Sequence, residues 1–248
     1  MTLAIIGLGP GAADLLAPRA ADMLARATDL VGYGPYVARV PDHGQTRHVS
    51  DNRAEIARAR HALTLASEGR RVAVVSSGDA GVFAMASAVF EAIEHGEPAW
   101  RALDIEVIPG ISAMAAASAR IGAMLGADFC VISLSDNLKP WPTVLRRLTL
   151  AAEAGFAMAL YNPISAARPW QLGAAFTALR SVLPGQVPVI FATAVSRPEE
   201  RVTATTLAEA DPARADMRTL VLIGTEATRS VPRTGGGQWI YAPRSVAA

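Results

Sequence analysis

Short apolar runs that stop on glycine-rich loops and resume as helical runs constrain this chain most. The stretch VAVVSSGDAGVFAMAS, residues 72–87, is the clearest case. A run that reads as a core strand halts on Ser-Ser-Gly-Asp-Ala-Gly, and an amphipathic run follows. TLAIIGLGPG (2–11) and DIEVIPG (104–110) repeat the plan. Strands alternating with helices pair in parallel, because a parallel crossover is long enough to hold a helix. In such a sheet the carboxyl ends of the strands face the ligand crevice. The expected fold is α/β with two lobes: residues 1–113, mostly parallel sheet, and residues 114–248, mixed sheet, with a cleft between them.

Local signals fill in the elements. Helices are expected over 12–29, over 53–69 with Asp51 or Asn52 as N-cap and Gly69 as stop, over 82–96, and over 112–123 with Ser112 as cap. LVGYG (30–34) reads as a strand and residues 35–52 as a loop. In the second half, strands are expected at DFCVISLSD, FAMALYNP, VPVIFATAVS, the start of ERVTATTLAEA, and RTLVLIG. Helices start near Trp141, with Pro142 in the first turn, and near Trp170. The tail 228–248, rich in Gly, Pro and Arg with no apolar period, is expected to be partly irregular.

Composition narrows the class. The chain is 51% hydrophobic and 18% charged with a net charge of +1, which argues for a globular protein and against nucleic acid or an anionic membrane surface as partner. The single cysteine, Cys130, lies in an apolar run, so it reads as a small buried hydrophobe in a reducing compartment. No basic n-region precedes the first apolar run, and a cytoplasmic location is expected.

The loops at the strand ends carry the chemistry. GLGPGA (7–12) formally matches a dinucleotide-binding loop. Pro10 removes an amide from that loop, and Asp29 precedes the second strand where an acid should follow it. A nucleotide-dependent oxidoreductase, a tight structural turn and a loop beside an uncharged ligand all remain open on the motif alone. In SSGDAG, Gly78 and Gly81 allow close approach of a ligand. Asp79 is placed to bind a ribose or amino group, or to cap a helix starting at Val82. Ser133, Ser135, Asp136 and Lys139 cluster in ISLSDNLKPW, and Tyr161 and Asn162 in ALYNPIS, where ordinary turn chemistry is the competing explanation. His43 and His48 lack a cysteine or carboxylate at ligand spacing, so no metal site is assigned.

Taken in order, IIGLGPG, GDAG and VIPGISA resemble the tetrapyrrole methylase family, with Ala80 standing where many members have proline. LVGYGPYV, VSDNR, DFCVISLSDNLKPW, LYNPIS and APR are similar to its ring-contracting branch in cobalamin synthesis. The resemblance implies the two-lobed methylase fold, S-adenosylmethionine (SAM) as methyl donor, S-adenosylhomocysteine as product, and a homodimer. It implies methylation of precorrin-3B at C17 with contraction to precorrin-4, or the same reaction on the cobalt-bearing factor III macrocycle. It carries SAM contacts onto Gly9, Pro10, Gly78, Asp79, Gly81, Val82, Ser112, Ala113, Tyr161, Asn162, Ala194 and Thr219. Asp51, Ser133, Ser135 and Asp136 are placed toward the substrate as proton-moving groups. Arg39, Arg53, Lys139 and Arg168 are expected to meet the carboxylates of the macrocycle.

Overall fold

A computed structural model describes residues 2–51 and 53–245. Its first strands, β1 (Leu3–Gly7) and β4 (Val72–Ser76), are buried along their whole length, as expected of strands covered on both faces. Alternate residues point to opposite sides of a strand. Leu3, Ile5, Val72 and Val74 therefore join one core, whereas Ala4, Ile6, Ala73 and Val75 join another. The remaining elements in this half are α1 (Pro18–Arg26), β2 (Asp29–Tyr33), α2 (Gly34–Val37), β3 (Thr46–Ser50), α3 (Glu55–Ser67), α4 (Met85–Glu94) and β5 (Ile105–Ile108). Leu63 of α3 and Val89 of α4 cover one face of the sheet; Ala20 and Leu24 of α1 cover the other. The strand order is β3-β2-β4-β1-β5, and every pairing is parallel.

The chain divides into two compact units, Met1–Ala113 and Met114–Ala248. The second carries α5 (Ala113–Ile121, which starts at the boundary), β6 (Gly122–Ala123), β7 (Phe129–Ser133), α6 (Trp141–Glu153) and β8 (Ala157–Tyr161). It continues with α7 (Gln171–Arg180), β9 (Pro188–Thr193), β10 (Arg201–Thr206), β11 (Thr219–Ile223), β12 (Arg229–Pro232) and β13 (Gln238–Tyr241). Its main sheet runs β10-β9-β11-β8-β7, antiparallel except for β7 beside β8. Phe176, Phe191, Leu148 and Met158 anchor its core. Cys130 packs against that core, and burial pushes its thiol up from the ordinary value.

The structure corrects several sequence expectations. Helix α1 starts only at Pro18, after a separate 3-10 turn at Ala13–Leu15, because proline offers no N–H to a continuing helix. The expected loop 35–52 contains α2 and β3. β3 has no apolar alternation; it is an edge strand held by main-chain pairing to β2. Helix α3 starts at Glu55 behind Ala54, so Asp51 does not cap it; instead the Asp51 carbonyl accepts from Ala54 N–H. Asn52 lies outside the described residues. Gly69 does end α3, at φ +83°, with Arg70 N–H bonded back to the Leu65 carbonyl. Helix α4 begins at Met85 and not Val82, because Phe83 (φ 51°) and extended Ala84 interrupt the helical path. The tail forms a hairpin, β12 and β13, turned by Gly235, Gly236 and Gly237 at positive φ, and β13 pairs with β6. Of β13 only Ile240 is buried, which is why no apolar period marked the strand.

At the amino edge of the first sheet, Asp29 is fully buried. Its carboxylate accepts from Thr28 Oγ1 (2.8 Å) and Arg70 Nε (2.7 Å), and His48 Nε2 lies 2.8 Å away. His48 in turn meets His61 at 3.0 Å. The Asp29 side chain thus ties β2 to β3 and to the α3–β4 connection, and through His48 it is linked to α3.

Candidate functional site

Parallel pairing brings the carboxyl ends of all five strands of the first sheet to one edge. The loops after β1, β4 and β5 meet there through their backbones. Gly9 N–H donates to the Gly78 carbonyl at 3.0 Å, and Gly78 N–H donates back at 2.9 Å. Both glycines sit at positive φ, +68° and +66°, where an L side chain is strained. The approach is so close that a Cβ on Gly110 would stand 2.3 Å from the Gly78 carbonyl oxygen and 2.6 Å from that of Gly7.

Two charged side chains lock this arrangement. Asp79 does not cap a helix. Its Oδ1 accepts from Gly81 N–H at 2.8 Å, and its Oδ2 accepts from Gly110 N–H at 3.0 Å, so one carboxylate ties the β4 loop to the β5 loop. Arg39 donates to the carbonyls of Leu8 (3.3 Å) and Gly9 (3.1 Å) and to Ser77 Oγ (3.0 Å). Ser112 is buried immediately before α5, Gly9 and Pro10 are buried, and Gly81 is exposed. Val82 and Ala113 are partly exposed beside them. After β3, the proton-transfer candidate Asp51 and the substrate-binding candidate Arg53 are both exposed.

This geometry disfavours the dinucleotide reading. A pyrophosphate needs free amides from the first loop. Here Leu8 N–H is bonded to the Ser76 carbonyl, Gly9 N–H is bonded to Gly78, and Pro10 has none. No acid ends β2. The loops offer small residues and main-chain groups, which fit an uncharged, flat ligand edge.

The second sheet gathers its candidates on one edge too. β7, β8 and β9 run the same way, and β11 runs against them, so the start of β11 lies beside the end of β9. Ser133 ends β7 and is buried; its Oγ accepts from Asn162 Nδ2 (2.9 Å) and from Ser135 N–H (3.3 Å). Tyr161 OH accepts from Met114 N–H at 3.1 Å, in the first turn of α5. Asn162 and Ala194 occupy positive φ, 52° and 50°. Strain of that kind concentrates where loops serve ligands. Thr219 Oγ1 is engaged within the protein: it lies 2.7 Å from Thr193 Oγ1 and donates to Asp216 Oδ1 at 2.9 Å. Burial opposes ionisation of Asp216, but hydrogen bonds from Arg218 and Thr219 overcome it and hold the carboxyl below its usual range.

Asp136 is the centre of a small cluster. Its Oδ1 accepts from Arg168 Nη1 at 3.1 Å and from Gln171 Nε2 at 2.9 Å. Arg168 also reaches Asn137 Oδ1, and its Nε is buried without a partner among the described residues. Asp136 and Arg168, assigned separate tasks from the sequence, are therefore one ion pair. Lys139 is partly buried, which with the nearby Arg147 charge lowers its pKa. Sequence reasoning missed Gln171, the buried first residue of α7. It also missed Arg58, 5% exposed on α3; its half of the chain holds nine other arginines, and nothing in the local pattern sets this one apart.

Comparison with known proteins identifies the fold and the family. Residues 2–211 match the family model of the tetrapyrrole (corrin/porphyrin) methylases. The chain is 56% identical over 246 residues to a precorrin-3B C(17)-methyltransferase of Sinorhizobium, covering 98% of this chain and 96% of that one. It is 38% identical to a probable cobalt-factor III C(17)-methyltransferase of Salmonella typhimurium, covering 91% and 93%. The crystal structure of the methyltransferase CobJ superposes with a TM-score of 0.92 at 52% identity, covering 97% and 99%. With its sheet orders, its backbone-built glycine loops and a family match over most of its length, the chain belongs to the tetrapyrrole methylase family.

Proposed function

We propose that the protein transfers a methyl group from SAM to C17 of precorrin-3B and supports contraction of the macrocycle to precorrin-4. The observation that carries this reading is the whole-chain identity to the Sinorhizobium C17-methyltransferase. When bound, SAM supplies a methyl already activated by its sulfonium, so no protein nucleophile is required. The protein's own contribution is mostly orientation, because carbon, methyl and sulfur must align. Gly9, Pro10, Gly78, Gly81, Val82, Ser112 and Ala113 would hold the donor largely through backbone, with Asp79 fixing the loops from behind. Tyr161, Asn162, Ala194 and Thr219 would complete the contacts, Thr219 through its main chain because its hydroxyl is engaged by Asp216.

Ring contraction also moves protons, which calls for a positioned acid or base. Asp136 suits that task. Arg168 and Gln171 hold Oδ1, leaving Oδ2 without a hydrogen-bond partner among the described residues. Ser133 and Ser135 support the same loop, and Asp51 is the remaining candidate. Lys139, Arg53, Arg39 and Arg168 would face substrate carboxylates, although Arg39 and Arg168 already serve loops of this chain. We read the protein as a cytoplasmic homodimer, which size-exclusion with light scattering measures.

The test is mass spectrometry of a reaction with SAM and freshly made precorrin-3B under nitrogen. A product with one added methyl and the absorption of a contracted ring is expected. Turnover only with the cobalt-bearing macrocycle, the substrate in the Salmonella relative's name, would move the assignment to that substrate.

A further inference from the structure

A small pocket of about 70 Å³ opens beside the β4 loop, lined by Tyr36, Glu55, Arg58, Ser77, Phe83 and Met85. Arg58 is its unusual member. The residue is 5% exposed, yet its guanidinium forms no ion pair among the described residues. Its Nε donates to Ser50 Oγ (2.8 Å), Nη2 to the Asp51 carbonyl (2.5 Å), and Nη1 to the Met85 thioether (3.3 Å), a weak acceptor. A buried cation with neutral partners is costly, and proteins rarely keep one without a counter-ion. Burial lowers its pKa, and the charges of Glu55 and Tyr36 oppose that. Glu55 is exposed at the start of α3 and does not neutralise it.

The pocket is also well placed. It shares Ser76 and Ser77 with the strand end that leads directly into Gly78 and Asp79. A ligand held at those loops therefore has an anion-seeking cavity next to it. We propose that this pocket takes one peripheral carboxylate of the tetrapyrrole, with Arg58 as the cation that receives it and Glu55 as a charge that weakens binding at the rim. The inference rests on the tetrapyrrole reading above. It assigns Arg58 as a specificity-determining residue: a macrocycle lacking that carboxylate would leave the guanidinium buried and unmatched, and would be rejected.

The experiment compares wild type, Arg58→Gln, Arg58→Lys and Glu55→Gln. The readouts are KM and kcat for precorrin-3B, SAM affinity by calorimetry, and melting temperature. Wild-type turnover is the control for the underlying reading; its absence with both macrocycles rejects the tetrapyrrole assignment itself. Given turnover, Arg58→Gln is expected to raise KM for the macrocycle by about 10- to 100-fold, as for loss of a charged hydrogen-bonded contact, with SAM affinity unchanged. Arg58→Lys should recover part of that loss. Glu55→Gln, at an exposed position, should lower KM a few-fold, an improvement that a purely structural role for Arg58 does not predict. Unchanged KM in both Arg58→Gln and Glu55→Gln overturns the proposal. Reduced SAM affinity with unchanged macrocycle KM also overturns it, assigning the pocket to the amino-acid carboxylate of SAM. If Arg58→Gln fails to fold, Glu55→Gln decides: no change in KM rejects the pocket.

Discussion

The two sheets use the same edge in different ways. On the first, the loops are built from backbone: Gly9 and Gly78 pair by their amides and carbonyls, and the charged Asp79 and Arg39 are spent on holding that backbone. On the second, polar side chains bond to one another: Ser133 with Asn162, Asp136 with Arg168 and Gln171, Thr193 with Thr219. The first arrangement makes a rigid surface of fixed shape. The second leaves Asp136 Oδ2 without a hydrogen-bond partner among the described residues. Substitutions on the first edge should therefore act through structure, and substitutions on the second through chemistry.

The largest expected effect tests the backbone-built edge. Gly110→Ala forces a Cβ to 2.3 Å from a carbonyl oxygen and should destabilise the protein by about 3 kcal/mol, measured by urea unfolding. Asp29→Asn, at the opposite edge, is the control. It weakens the partnership with Arg70 and His48 and should cost about 2–3 kcal/mol while sparing SAM affinity in the folded fraction. Burial opposes the Asp29 charge, but hydrogen bonds from His48, Thr28 and Arg70 overcome it and depress the pKa. A depressed carboxylate contributes stability that is complete above the ordinary value of about 3.9 and is lost as pH falls through the folded value. Wild type should thus lose stability steeply below about pH 4, and Asp29→Asn should lack that component.

Asp79→Ala should cost about 1–2 kcal/mol by orphaning the amides of Gly81 and Gly110, and should weaken SAM binding by calorimetry. A stable variant with unchanged affinity would show that the first edge does not depend on its carboxylate. Asp136→Asn should behave oppositely: SAM affinity and stability hold, while kcat falls by about 100-fold. A wild-type rate would remove Asp136 from the chemistry and blur the contrast between the edges. The smallest effect is expected for Ala194→Gly, which relieves φ 50° and should stabilise by about 0.5 kcal/mol, the balance of αL strain against glycine's entropy.

Much of the candidate site was legible because its loops follow strands whose apolar runs are unmistakable. Ser76–Gly81 and Ser133–Asp136 were found by asking where strands stop. Arg58 and Gln171 were not, because each sits on a helix whose local pattern is indifferent to one buried polar residue. β3 escaped for a related reason. An edge strand is held by main-chain hydrogen bonds, and TRHVS carries no alternation to announce them.

By itself the sequence determined the α/β class, the run of strand-to-loop-to-helix units and the small, flexible residues at their junctions. These are local properties: burial on both faces demands continuous apolar strands, and tight turns demand glycine. Only the tertiary structure decided partners. It joined Asp79 to Gly110 across 31 positions, Asp136 to Arg168 across 32, and Met85 to Arg58 across 27, because hydrogen bonds depend on distance in space, and the sheet order sets that distance.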